Sequence, residues 1–236
     1  MRQRSFLLTA LCCASFAPSL PAAPLSEAER QELAGFQDLY VFDADFWNKE
    51  DERIAKTGGA VAKSDTRLTV KLADGQSKNI DFTPCDDSPG VKMDTSICST
   101  YILLAYLKGQ NGYLMAQAHY EWLTFHWIDS RSGRETKLDN MPIFSPDARH
   151  IATIDNDWFT SDDAGTISIY ERQDDSWQLK HQEEIGFSSE EYYFLDGLGF
   201  IGWQDNELTL LKKFGERGGI PEGYKQPLNA IVKVRY

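Results

Sequence analysis

Beyond Asp65, apolar and polar positions alternate with a period of two over much of the chain. Leu68, Val70 and Leu72 alternate with Arg67, Thr69 and Lys71, the pattern of a strand with one face on a core. Asp74-Gly75 is a residue pair that tight hairpin turns favour, and Ile80 and Phe82 continue on the return strand. The stretch from Tyr101 to Leu107 is apolar throughout and predicts an interior strand, which residues 109–112 turn back into a strand from Tyr113 to Tyr120. Further strands are predicted over 123–129 and 135–138, with a turn at 130–133 between them. The same pattern predicts strands over 150–155, 166–171 and 177–185, with a turn at 173–176, and over 200–203, 207–214 and 230–236.

The N-terminal part reads differently. Ser26 with Glu29 three residues on forms a capping box, and Leu33 and Phe36 fall on one face of the short helix it opens. Tyr40 to Trp47 is rich in aromatics and fits either a strand or a binding surface. Ahead of this, Arg2 and Arg4 precede an apolar run from Phe6 to Ala17, then small residues and prolines to Pro24. That order is a secretory leader, and its apolar run is too short to span a bilayer. Cleavage after Ala22 or after Ser19 fits the small-residue preference. Leu11 precedes Cys12, and the residues before Cys13 do not form a lipobox. The expected organisation is a leader over 1–22, a helical and aromatic extension over 23–64, and a β-rich domain over 65–236. The expected location is periplasmic or secreted.

Charge narrows the partners. The chain carries 24 Lys and Arg against 36 Asp and Glu. Removing Arg2 and Arg4 leaves 22 − 36 = −14 for the processed chain. Such a surface repels nucleic acid and anionic membrane and attracts a basic partner. Cys85 and Cys98 remain after cleavage, and in an oxidising compartment they are expected to pair.

Three segments carry a family resemblance. Phe144-Ser-Pro-Asp147-Ala-Arg-His-Ile-Ala152 resembles the turn that opens a blade in WD40-like and TolB-like β-propellers. Trp127-Ile-Asp-Ser-Arg-Ser-Gly133 is similar to the outer hairpin of a blade, and Gly165-Thr-Ile-Ser-Ile-Tyr170 to an inner-to-middle blade strand. Ala148 stands where glycine is usual. The resemblance implies a mainly β fold of antiparallel meanders, a small or incomplete β-propeller with a short N-terminal helix. Roughly four or five blades of ~40–45 residues would use up the chain; a sandwich built from meanders is the alternative. Propellers serve as enzymes and as binding modules alike, so the fold alone assigns no activity.

The candidate chemistry is sparse. His119, His126, His150 and His181 form no metal-binding motif, although His119 and His126 sit on neighbouring predicted strands, with Glu121 a conceivable third ligand. Nucleophile-elbow, phosphate-loop and dinucleotide motifs are lacking, and no cofactor or metal is assigned. Asp155, Asp157, Asp162 and Asp163 gather in one acidic loop, which is either a calcium loop or a solvated turn. Trp158 and Phe159 lie in the same loop, and Tyr192-Tyr193-Phe194 follow later. Strict alternation puts Trp122 on the face opposite Phe125 and Trp127, so one set is expected at the surface. The candidate binding residues are therefore Trp122, Asp157, Trp158, Phe159, Asp162 and Asp163. They point to an exported, non-catalytic protein that binds a basic protein, such as an inhibitor or immunity protein for a basic toxin or cell-wall hydrolase. The alternative is an exported hydrolase using carboxylates, with or without calcium, on glycan or peptide.

Overall fold

The computed structural model describes residues 23–37, 48–85, 98–119, 122–155, 165–185, 195–204, 206–214 and 229–236. Helix α1 is Glu27–Gln37. The capping box forms as the sequence predicts: the Glu29 carboxylate accepts from Ser26 N–H at 2.9 Å, and Glu29 N–H donates to Ser26 Oγ at 3.2 Å. A second helix, α2, spans Glu50–Lys56. The aromatic stretch from Tyr40 to Trp47 lies outside the described residues.

Among the described residues fourteen strands follow, in four antiparallel sheets that each run in chain order. The first sheet holds β1 (Val61–Ser64), β2 (Arg67–Lys71) and β3 (Ser77–Asp81). It begins ahead of Asp65, so β1 comes from the stretch read as extension. The second holds β4 (Thr100–Leu107), β5 (Gly112–Ala118), β6 (Leu123–Asp129) and β7 (Glu135–Leu138). The third holds β8 (Ile143–Phe144), β9 (His150–Asp155), β10 (Gly165–Gln173) and β11 (Ser176–Ile185). The fourth holds β12 (Leu195–Gln204), β13 (Glu207–Phe214) and β14 (Asn229–Arg235). The fold is mainly β.

Side-chain alternation explains how the sheets stack. Tyr101, Leu103, Tyr113, Met115 and Ile128 project from one face of the second sheet onto Val61, Leu68, Val70, Ile80 and Phe82 of the first. Ile102, Leu104, Leu107, Leu114, Phe125, Trp127 and Leu138 project from its other face onto Phe144, Ile151, Tyr170 and Trp177 of the third. The opposite face of the third sheet, with Ala152, Ile154, Ile167 and Ile169, packs on Leu208, Leu210 and Val234 of the fourth. A register shift between Leu103 and Ala105 lets Leu104 and Ala105 share one face. Among the described residues, no core cluster joins the fourth sheet to the first.

The N-terminal segment covers the β4 side of the second sheet. Leu25 and Leu33 are buried in the same core as Trp127. Helix α2 satisfies the β4 edge with side chains: Glu50 Oε1 accepts Leu103 N–H at 3.0 Å, and Arg53 Nε donates to Leu103 O at 2.8 Å. One helical turn thus supplies the acceptor and the donor that a further strand would have offered. Cys85 and Cys98 are bonded, with Cα atoms 4.8 Å apart. The bond links the segment after β3 to the segment before β4, and so the first sheet to the second.

Candidate functional site

The two ends of the stack differ in chemistry. At one end the connections are tight turns. Asp129, fully buried, accepts from the N–H groups of Arg131 and Ser132 at 2.9 and 3.0 Å, and Gly133 takes the left-handed conformation that closes the turn. Arg172 donates to Gln110 O at 2.6 Å and lies over the rings of Trp127 and Trp177 at 5.7 and 5.4 Å. This end is sealed by a buried cation between aromatic rings.

The opposite end is where β5 finishes and β6 starts, and where β7, β9 and β11 finish and β10 starts. Trp122 sits here, just before β6, and is 51% exposed, while Phe125 and Trp127 are buried. The alternation predicted this split. The Trp122 indole stacks on the His119 ring at 4.8 Å and 18°, and His119 N–H donates to Trp122 O at 2.9 Å. Burial, then the nearby Lys137 and His126, lowers the His119 pKa. The platform therefore presents a neutral imidazole face at pH 7.

At the same end, between the second and third sheets, lies a cavity of about 300 Å³ lined by Thr124, Lys137, Leu138, Asp139, Asp155, Thr166 and Gln182. Among the described residues, Leu138 is its single apolar lining residue. Asp139 is oriented from below: Ser168 Oγ and Tyr170 Oη both donate to its Oδ2, at 2.8 and 2.9 Å. Gln182 Nε2 donates to Ser168 Oγ at 3.1 Å. Burial, then the bond to Asp139, raises the Tyr170 pKa, so that phenol stays a donor. The lining comes from five strands and the segment after β7. Asp139, Thr166 and Gln182 carry no motif, and only strand register brings them together.

A second polar cluster lies between the first and second sheets. His126 Nδ1 is 2.8 Å from Glu135 Oε1, and its Nε2 is 3.2 Å from Thr124 Oγ1. Lys78 Nζ donates to Glu135 Oε2 at 2.8 Å and to Gly133 O at 3.0 Å. The His126 hydrogen bond is the largest effect on Glu135. With Lys78 it outweighs burial and holds that carboxyl down to about 2. The order hydroxyl, imidazole, carboxylate matches a proton relay in outline. The His126 ring, however, is buried with the Tyr101 ring 5.4 Å away. With its imidazole buried and its carboxylate cross-linked by Lys78, the cluster acts as a polar clamp between sheets.

Of the candidate binding residues, Trp122 is placed at this rim; Asp157, Trp158, Phe159, Asp162 and Asp163 lie outside the described residues. The strands flanking them, β9 and β10, end at the same rim, where Asp155 and Thr166 pair. Both nitrogens of His126 face Thr124 and Glu135 rather than His119, and among the described residues no group of three metal-binding side chains gathers. Tyr120 and Glu121 also lie outside the described residues. No helix among the described residues is long and apolar enough to cross a membrane. No protein-family model, curated protein or solved structure matches the chain.

Proposed function

We propose that this chain is an exported, non-catalytic binding protein that engages a basic protein through the rim carrying Trp122. The observation that carries the reading is the Trp122–His119 platform, a large half-exposed aromatic surface held rigid by stacking and by a backbone bond. Rigid aromatics beside polar groups are common anchors of protein interfaces. Asp139 and Asp155 lie at the same rim, and a processed chain of charge −14 steers a cationic partner towards it. The concrete form of the proposal is an inhibitor or immunity protein for a basic toxin or cell-wall hydrolase. The Cys85–Cys98 bond accords with an oxidising, extracytoplasmic location.

The fold reading goes with it. Four successive meanders, each stacked on the next, support a small, open β-propeller with the four sheets as blades and with α1 and α2 beside β4.

The carboxylate hydrolase is the second reading, because the cavity brings two carboxylates, Asp139 and Asp155, into one lining. A general-acid carboxyl is ordinarily kept protonated by an apolar pocket, and among the described residues this lining is polar apart from Leu138. Binding is the better supported of the two.

The test is retention of proteins from periplasmic extract by the immobilised, oxidised chain. Wild type should retain a basic protein at low salt and release it at high salt, and Trp122→Ala should lose it. Equal retention by the variant, or retention of no basic protein at all, rejects the reading. Hydrolysis of glycan or peptide that stops in both Asp139→Asn and Asp155→Asn would favour the second reading instead.

A further inference from the structure

We infer that the free edge of β14 is a self-association site, where the strand pairs antiparallel with β14 of a second copy of this chain. The inference goes beyond the binding reading and does not rest on it.

A long, flat and uncovered edge strand is a template for another chain, and proteins blunt such edges by shortening, bulging or covering them. Most edges of these four sheets are blunted in one of those ways. Strands β1, β3, β7 and β8 have five residues or fewer. The β4 edge is met by Glu50 and Arg53 of α2. Register shifts interrupt the pairing of β12 with β13 twice and that of β11 with β10 once. By contrast, β14 pairs with β13 through seven consecutive residues without a shift, and it contains no proline. Among the described residues it is the one edge left long, regular and uncovered.

The backbone of β14 says which groups that edge offers. Tyr236 N–H donates to Asn206 O at 3.2 Å, so the Tyr236 amide points to β13. Direction alternates along each strand of an antiparallel pair, and the amides of Val232 and Val234 therefore point to β13 as well. Ile231, Lys233 and Arg235 turn their N–H and C=O groups the other way, and no described group hydrogen-bonds to these. Their side chains share the outer face of the sheet, because Val234 is buried on the inner one. Ile231 is 65% exposed there. Lysine at an edge ordinarily keeps other strands away. Here Lys233 Nζ lies 2.6 Å from Glu207 Oε1, and Arg235 Nε 3.0 Å from Glu207 Oε2. Both cations are tied back to a carboxylate of β13.

An antiparallel edge is complementary to itself under a two-fold axis, so a second copy fits without any further match. Charge favours that occupant. Residues 23–194 carry 16 basic and 31 acidic side chains, 16 − 31 = −15, whereas residues 195–236, which include the fourth sheet, carry 6 and 5, 6 − 5 = +1. The fourth sheet is where two such acidic bodies meet with least repulsion. The two cations of the edge are already paired, which leaves little to recruit an acidic strand of another protein. Full overlap of the two strands places the axis at Val232. Ile231 then lies opposite the second copy's Lys233, and Asn229 opposite its Arg235, so no like charges are directly opposed.

The experiment is sedimentation equilibrium of the oxidised chain from micromolar to millimolar concentration, with amide hydrogen exchange followed over the same range. The mass should rise from one copy to two and stop there, because a two-fold pairing uses up the edge. Protection of the Ile231 and Lys233 amides should grow with concentration, while Val232 and Val234, already bonded to β13, should change little. Lys233→Pro removes one outward N–H and none of the bonds to β13, so it should fold and associate more weakly. Ile231→Lys guards against a proline variant that fails to fold. It sets a like charge opposite the second copy's Lys233 and should weaken association about tenfold. A single copy at every concentration, growth beyond two copies, or unchanged association of Ile231→Lys would each overturn the inference. So would protection of Ile231 and Lys233 in the monomer, which would show the edge covered by the chain itself. Protection that appears only when periplasmic extract is added to a monomer would give the edge to another protein, and the inference would fall.

Discussion

A Cβ added at Gly112 would lie within the Trp127 ring. That ring is 1% exposed and wedged between Phe144 and Trp177, at 5.8 Å from each, so it has nowhere to move. Gly112→Ala is expected to destabilise by about 3 kcal/mol, the upper end for overpacking a tight core. Gly202, with open space around its Cα, is the control, and Gly202→Ala should shift the urea midpoint little. Ala148 shows a different constraint. It occupies the position where the blade-like turn usually has glycine, and it adopts φ 54°, the glycine-type conformation, while fully buried. Relief of about 1 kcal/mol of left-handed strain would be offset in Ala148→Gly by about 0.8 kcal/mol of lost methyl burial. Glu135 carries a pH signature. Its carboxyl is lowered in the folded chain to about 2, against about 4.3 in an unfolded one. Its contribution is therefore complete above roughly pH 4.3 and disappears as pH falls towards 2. The difference in thermal midpoint between wild type and Glu135→Gln should be flat from pH 7 to 5 and shrink below pH 4. A difference that grows on acidification would contradict the assignment.

At the scale of elements, α2 has a role that its sequence does not announce. Glu-Asp-Glu-Arg-Ile-Ala-Lys has no apolar stripe, and its value lies in two side chains that reach Leu103 on β4. Arg53→Met leaves the Leu103 carbonyl without that bond and should cost about 1–3 kcal/mol, read from the urea midpoint. Glu50→Gln should speed exchange of the Leu103 amide, since a neutral amide accepts more weakly than a carboxylate. The same contrast explains what the sequence made legible. A strand such as β2 alternates because one face is buried and the other is not, and its ends match the pattern closely. The run in β4 betrayed burial on both faces. By contrast, β8 is two residues long, too short for any period, and α2 is defined by distant partners. Trp122 was visible as a phase break in an aromatic series. Asp139, Thr166 and Gln182 were not, because each is an ordinary strand or turn residue until register sets it beside the others.

For the whole molecule, the arrangement is a stack in which each sheet touches its neighbours in chain order. Stability in such a stack is close to a sum of nearest-neighbour terms. The Cys85–Cys98 bond ties the outermost first sheet to the second. In the chain-entropy model a loop of this size contributes about 3 kcal/mol, so replacing both cysteines by serine should lower stability by roughly that amount. The packing also sets the order of local opening. The second sheet is buried on both faces, with Leu103, Met115 and Ile128 on one side and Leu104, Leu114 and Trp127 on the other. The fourth sheet buries Leu208, Leu210 and Val234 on one face, while Ile231 is 65% exposed. A sheet held on one face opens with a smaller free energy than one held on two. Native-state hydrogen exchange should therefore find the highest protection in β4, β5 and β6 and markedly lower protection in β13 and β14. Reduction of the disulfide should lower protection in β1, β2 and β3 while leaving β13 and β14 unchanged, since two interfaces separate them from the broken bond. Equal protection across all four sheets, or a fall in β13 and β14 on reduction, would show that the molecule opens as one unit and that the nearest-neighbour description of the stack is wrong.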